Sequence, residues 1–149
     1  MSGVTLSLTG RALRLLSARE HSRAELERKL AGFEEVPGEL ARVLDTLQAK
    51  DFINETRVVE SVMHRRSAKL GAARIKQELQ TKGLDPQAVA LAMDQLRATE
   101  LERAREVWRK KFGVRPASAA ERGRQMRFLA SRGFGGDTIH RVVQGGEDD

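Results

Sequence analysis

Proton transfer and metal ligation near neutral pH call first for histidine, and this 149-residue chain has three: His21, His64 and His140. They stand far apart in sequence without ligand spacing between them, so no metal site is expected. Their plain reading is as exposed or partly buried helix residues. Carboxylate pairs such as Glu34 with Glu35 or Glu100 with Glu102 offer acid/base groups, but nothing brackets them with a partner. Cysteine is absent, which removes thiolate nucleophiles, thiolate metal sites and disulfides together. No serine sits in a strand-turn-helix elbow, and no Gly-rich loop ends in Lys-Ser or Lys-Thr. No catalytic, cofactor-binding or metal-ligating residue is therefore expected, and the chain reads as a non-enzyme.

What remains is charge. Lys and Arg number 27 against 21 Asp and Glu, a net of +6, and the sequence pI is about 10.3. Residues 22–66 carry 8 basic and 9 acidic side chains, residues 67–116 carry 11 and 6, and residues 117–146 carry 5 and 2. The nets are −1, +5 and +3, so the excess lies in the later part. The cations fall in clusters: Arg65 and Arg66 with Lys69; Arg74, Lys76 and Lys82; Arg109, Lys110 and Lys111; Arg124, Arg127 and Arg132. These are the candidate partner-binding residues, suited to a polyanion or to an acidic protein groove beside one. Part of the pattern is ordinary helix chemistry. Arg74 and Lys82 stand four residues either side of Glu78, where an ion pair contributes ~0.2–0.5 kcal/mol.

Positioning these side chains falls to helices. Few β-branched runs, abundant Arg, Glu, Leu and Ala, and three prolines favour helix over sheet. No apolar run approaches the roughly 18 residues of a membrane span, and no signal peptide pattern opens the chain. A soluble cytoplasmic protein is expected. Residues 1–9 read as a flexible N-terminus, with Thr9 capping a helix to about Ala18 that buries Leu13 and Leu16. Ser22-Arg-Ala-Glu25 is a capping box, opening a helix with Leu26 and Leu30 on one face that stops near Gly32. Pro37 begins the next, carrying Leu40, Val43, Leu44 and Leu47. After Asp51-Phe52-Ile53, Asn54 caps a helix bearing Val58, Val59, Val62 and Met63.

The stretch Leu70 to Gly83 has a definite start and stop. Ile75 and Leu79 share a face, and Gly83 sits where a helix commonly ends in a left-handed residue. Asp85-Pro86 then starts a helix lined by Val89, Met93 and Leu96. Thr99 to Glu102 reads as a second capping box, beginning a separate helix striped by Leu101, Ala104, Trp108 and Phe112 and closed by Gly113. Trp108 completes that stripe and is expected in the core, and scarce aromatics argue against binding by base stacking. A third box at Ser118-Ala-Ala-Glu121 leads to a helix burying Met126 and Leu129 and ending at Gly133. Asp137 caps a last helix with Ile139 and Val143. Gly145, Gly146 and the acidic end are expected to be disordered.

The elements repeat. Leu26, Leu30, Leu40, Leu44, Leu47 and Phe52 correspond to Ile75, Leu79, Val89, Met93, Leu96 and Leu101 at one shift of 49 residues. A further shift of 50 carries Leu79, Gly83, Leu84, Val89 and Met93 onto Leu129, Gly133, Phe134, Ile139 and Val143. The expected fold is all-α: tandem three-helix repeats in an elongated, curved array. The divisions are 10–69 for the first helix plus the first repeat, 70–116 for the second, 117–144 for a truncated third, and 145–149 for the tail.

The pattern Gly71-x-x-Arg74-Ile75-x-x-Glu78-Leu79-x-x-Lys82-Gly83 resembles the signature of the RecX family. Asp51-Phe-Ile-Asn-Glu55 and Phe128-Leu-Ala-Ser-Arg-Gly-Phe134 support the resemblance, which covers about residues 10–144. It implies a curved monomer of tandem three-helix repeats. It also implies binding to the RecA recombinase, especially its filament on single-stranded DNA, with inhibition of ATP hydrolysis, strand exchange and coprotease activity. Weak direct DNA contact is a further expectation; no cofactor is. The family carries no catalytic residue to transfer, and its motifs here are mostly packing and turn positions. The competing reading is a DNA-binding module of helix-turn-helix type. Against it, no single helix presents a clear base-reading face of Arg, Asn or Gln. Reversing Arg65, Lys69, Lys76 and Lys110 is expected to weaken inhibition more than reversing Arg23, Arg28, Arg42 and Lys50.

Overall fold

The computed structural model describes residues 5–145, and among them every regular element is helical. Eight α-helices follow in order: α1 Leu8–Ala18, α2 Arg23–Leu30, α3 Glu39–Ala49, α4 Glu55–Arg66, α5 Ala72–Thr81, α6 Pro86–Lys111, α7 Ala119–Ser131 and α8 Gly136–Gln144. A 3-10 turn, Ala31–Phe33, extends α2. The apolar residues form three separate cores, each built by three helices. Leu8, Ala12, Leu26, Leu30, Leu40, Leu44, Leu47 and Ile53 unite α1, α2 and α3. Val58 and Val62 join Ile75, Leu79, Leu84, Val89, Ala92, Met93 and Leu96 around α4, α5 and the first half of α6. The second half of α6 closes the third core through Ala104, with Leu129, Phe134, Ile139, Val142 and Val143 of α7, α8 and their connection. Val58 and Val62 thus group α4 with the middle unit, whereas the division at residue 69 groups it with the first. Accessible surface is 9255 Å², against about 7,600 Å² expected of a compact monomer of this mass. The excess fits three small cores in a row.

Local chemistry explains most boundaries. Ser22 Oγ accepts from the Glu25 N–H while a Glu25 oxygen accepts from the Ser22 N–H, a complete capping box. Asn54 and Asp85 cap α4 and α6 as their types predict. Gly83, Gly113 and Gly133 all lie in the left-handed region, with φ of 69°, 69° and 93°.

Several boundaries differ from the sequence reading. Helix α1 is capped by Ser7, whose Oγ accepts from the Gly10 N–H, so Thr9 lies inside it. Its buried face is Leu8 and Ala12; Leu13 is exposed and Leu16 only half-buried. Helix α3 starts after the left-handed Gly38 rather than at Pro37, and the Glu34 carboxylate takes the Leu40 N–H. Phe52 is exposed, and Ile53 fills the core instead. Glu121 reaches the Ala117 N–H rather than that of Ser118, which leaves the third box half complete. Gly135, not Asp137, precedes α8. Gly145 is the left-handed C-cap of α8, ordered against the Arg115 guanidinium; the remainder of the expected disordered tail lies outside the described residues.

The largest difference is at Thr99. No helix starts there, because α6 runs unbroken for 26 residues through both later units. Residues 87–111 contain neither Gly nor Pro, so strong helix formers carry the pattern straight past the cap signature. Glu100 is put to another use. Its carboxylate accepts from the Ala72 N–H at the start of α5 at 2.7 Å and from the Gly135 N–H before α8 at 3.4 Å. One side chain therefore serves two helix N-termini, where negative charge is favoured. Arg103, one turn on, donates to the carbonyls of Ser67, Leu70 and Leu96, closing the end of α4 onto α6. Burial holds its pKa below the usual arginine value, with Glu100 opposing that.

Candidate partner-binding surface

The units meet end to end, and this decides which cations reach the surface. The N-terminus of α2 seats on the C-terminus of α5: Ser22 Oγ donates to the Lys82 carbonyl at 2.5 Å and Arg28 to the Thr81 carbonyl at 3.0 Å. The N-terminus of α5 seats in the same way on the C-terminus of α7. There the Gly71 N–H donates to the Arg132 carbonyl at 2.7 Å, the Ala73 N–H to the Gly133 carbonyl at 3.2 Å, and Arg74 to the Ser131 carbonyl at 2.6 Å. The repeat shift of 49 that maps Ser22 onto Gly71 maps one joint onto the other. Carbonyls left free at the ends of α5 and α7 are thus satisfied by the preceding unit.

Lys82 is consumed by the first joint and is not part of an exposed surface. It is 8% exposed, and its Nζ lies 3.2 Å from Glu25 Oε2. Burial pushes the Glu25 carboxyl up, but hydrogen bonds from Arg19, the Ser22 N–H and Lys82 outweigh it and hold the pKa at about 2. His21 lies beside them, buried between loop and helix rather than on a helix face. Its Nδ1 is 3.0 Å from the Arg19 carbonyl and its Nε2 3.0 Å from Lys29 Nζ. One ring nitrogen donating and the other accepting is the arrangement of a neutral imidazole. His64 and His140 are exposed, and no group of three His, Asp or Glu side chains among the described residues could hold a metal.

The other candidate cations are exposed, but not equally free. Glu78 is paired with Arg66 at 3.1 Å and Arg65 at 3.7 Å across from α4, not with Arg74 and Lys82 along its own helix. Arg109 and Lys110 both approach Glu106. Arg132 lies 4.7 Å and Lys111 5.3 Å from the centroid of the Phe128 ring, whose edge-on neighbour is Phe112 at 5.5 Å. Those contacts pin the two cations over an aromatic ring without neutralising them. Lys69, Lys76, Arg124 and Arg127 have no ion pair with a described carboxylate. Among the candidates, the cations without an ion pair thus lie on α5, on α7 and its C-cap, at the end of α6 and in the short link before α5, in the middle and third units.

Two features escaped the sequence reading. Phe128 with Arg132 at four-residue spacing is a cation–ring signal legible in the sequence, beyond the family motif and the candidate cation noted there. Arg115, outside the candidate set, donates to the Val142 carbonyl at 2.6 Å and lies 4.9 Å from the Trp108 ring centroid. Trp108 in turn donates its indole N–H to Gln125 Oε1 at 2.8 Å. The tryptophan is committed to the third unit's packing, as its stripe predicts.

No helix among the described residues is long and apolar enough to cross a membrane. Family models for the first, second and third three-helix domains of RecX match residues 10–47, 54–93 and 98–143. The chain is 56% identical over 139 residues to the regulatory protein RecX of Leptothrix cholodnii, covering 93% of this chain and 88% of the relative. It is 46% identical over 142 residues to that of Ralstonia nicotianae, covering 95% and 89%. The crystal structure of RecX from Lactobacillus salivarius has the same fold, with a TM-score of 0.76 over 92% of both chains at 21% identity.

Proposed function

This chain belongs to the RecX family of regulatory proteins, and from that premise we propose that it binds the RecA recombinase and restrains it. The target form is the filament on single-stranded DNA, and the outcome is inhibition of ATP hydrolysis, strand exchange and coprotease activity. The protein acts as a monomer in the cytoplasm and performs no catalysis itself. The observation that carries the reading is the set of unneutralised cations on the later units, above all Lys69, Lys76, Arg124 and Arg127. They give a filament, which presents DNA phosphates and acidic side chains together, a surface to attract.

Two of the first-unit cations, Arg23 and Arg28, are engaged in packing and cannot serve as surface-charge controls. Arg23 bonds Asp45 at 2.7 Å and Arg28 holds the Thr81 carbonyl, so reversing either would disturb packing rather than surface charge alone. Arg14, Arg42 and Lys50 are exposed and free of described ion pairs. The test compares reversal to Glu of Lys69, Lys76 and Arg124 with reversal of Arg14, Arg42 and Lys50, an equal change of charge. DNA-dependent ATP hydrolysis by the recombinase is measured with each variant across a salt series. Loss of inhibition confined to the first set supports the reading, and equal losses would reduce it to net charge. Tight, sequence-selective binding to free DNA without recombinase would favour the helix-turn-helix alternative.

A further inference from the structure

The two end-to-end joints occupy equivalent places in the repeat but are built from different materials. Between α5 and α7 the bonds come mainly from backbone. Gly71 and Gly133 are in such close approach that a Cβ on Gly71 would lie 2.4 Å from the Gly133 carbonyl carbon. That joint is reinforced twice, by the unbroken α6 crossing from one unit to the next and by Glu100 gripping the starts of both α5 and α8. Between α2 and α5 the bonds come from side chains: Ser22 Oγ, Arg28, and the Glu25–Lys82 ion pair. No helix crosses that boundary, and the first core includes nothing beyond Ile53. The covalent link is the short segment 50–54, where Asp51 holds the left-handed conformation at φ 68°. A second polar clasp, Arg57, joins Glu20 at 2.9 Å to Asp51 at 2.8 Å across this link.

We propose that the first unit is a latched arm, hinged at residues 50–54 and held closed by the polar joint of α2 on α5, while the second and third units move as one body. Apolar cores resist separation along their whole contact, whereas a joint of a few side-chain bonds opens as a unit when those bonds are lost. Arg28 and the Glu25–Lys82 pair are the latch. Asp51 is the hinge position, its left-handed backbone being one that a non-glycine residue leaves readily once its Arg57 and Asn54 bonds are released. The arm carries its own core, so it swings without unfolding. The arm opens and closes by these contacts whatever partner the protein binds.

The absence of cysteine allows clean spin labelling. Val36→Cys with Leu91→Cys, at positions 55% and 62% exposed, spans the first and middle units. Leu91→Cys with the exposed Ala130→Cys spans the middle and third. Pulsed dipolar spectroscopy on the full chain then compares the parent with Arg28→Ala/Lys82→Gln and with Arg28→Ala alone, helicity being followed at 222 nm. The expected result is that the first distance distribution at least doubles in width in the double variant and widens measurably in the single one. The second distribution stays as narrow as in the parent. Equal widening of both pairs, or an unchanged first pair in a variant of full helicity, would overturn the proposal. If the double variant loses helicity, the single variant decides by the same comparison.

Discussion

Replacing Gly71 by Ala adds one methyl group at the joint between α5 and α7, where there is no room for it. The new Cβ would lie 2.4 Å from the carbon and oxygen of Gly133 and from the Phe134 nitrogen. These are backbone atoms of a helix end and cannot rotate away. Relief requires withdrawing α5, which breaks the Gly71 and Ala73 bonds to the Arg132 and Gly133 carbonyls. Two such bonds contribute about 2 kcal/mol together, and residual overpacking costs a further ~1–3 kcal/mol. Lower chain entropy in the unfolded state offsets about 0.4–1 kcal/mol. The net loss is about 3 kcal/mol, which lowers Tm by about 10 °C in a chain of this size. Gly32→Ala is the matched control, since nothing lies within 4 Å of its added Cβ. The assay is thermal unfolding followed at 222 nm for both variants beside the parent. A fall under about 3 °C for Gly71→Ala, against the ~10 °C expected of the lost bonds, would refute the close-approach argument, as would an equal fall for Gly32→Ala.

Leu79→Asp places a carboxylate in the middle core, where Leu79 is 0% exposed beside Ile75 and Val89. A loss of several kcal/mol is expected, read as a lower Tm, and an unchanged Tm would place Leu79 outside the core. Glu25 is held at a pKa of about 2 against its ordinary 4.5, a difference worth ~3 kcal/mol. That stability is present above pH 4.5 and lost as pH falls toward 2, so Glu25→Gln should flatten the acid limb of a pH–stability curve. Burial first, then Arg19 and Lys29, hold the His21 pKa below 6.5 against the opposing Arg19 carbonyl and Glu25. Because the unfolded state takes the proton more readily, this contribution is complete above pH 6.5 and declines as pH falls below it. His21→Gln should remove that decline in urea unfolding measured between neutral and mildly acidic pH.

What the sequence revealed and what it concealed divide along the range of the interaction. Ser22 with Glu25, Asn54, Asp85 and the glycines at 83, 113 and 133 act on backbone within a few residues, and each does as its type predicts. The periodicity of Ile75, Leu79, Val89 and Met93 likewise reports their burial, since a shared face has one core to meet. Thr99 misled because a cap signature and an uninterrupted helix look alike locally. The choice was made by Ala72 and Gly135, whose N–H groups draw Glu100 to distant partners. Lys82 shows the same limit for the candidate surface. Nothing within its own helix indicates that Glu25, 57 positions earlier, buries it. The excess of cations in the later units was legible, and so were the pairings of Arg109 and Lys110 with Glu106 and of Arg132 with Phe128 a helical turn away. Glu78 with Arg65 and Arg66, and Phe128 with Lys111, meet only across helix boundaries.

The unbroken α6 also acts as a measuring rod. Its 26 residues extend about 39 Å at 1.5 Å each. Arg97 lies midway along it and Lys110 and Lys111 at its far end, with the cations of α5 and α7 ranged on its two halves. At physiological ionic strength charges that far apart scarcely sense one another, because screening sets in over ~8 Å. They are coupled through the rod instead. A partner that engages the α5 side receives the α7 side at a fixed distance and at high effective concentration, provided its own sites repeat at the matching interval. A lone subunit offering one such site forfeits that gain, whereas a periodic polymer collects it along its length. For the filament proposed as the target, a preference for the assembled lattice over its free building block would then follow from the length of one helix, without any residue having to distinguish the two.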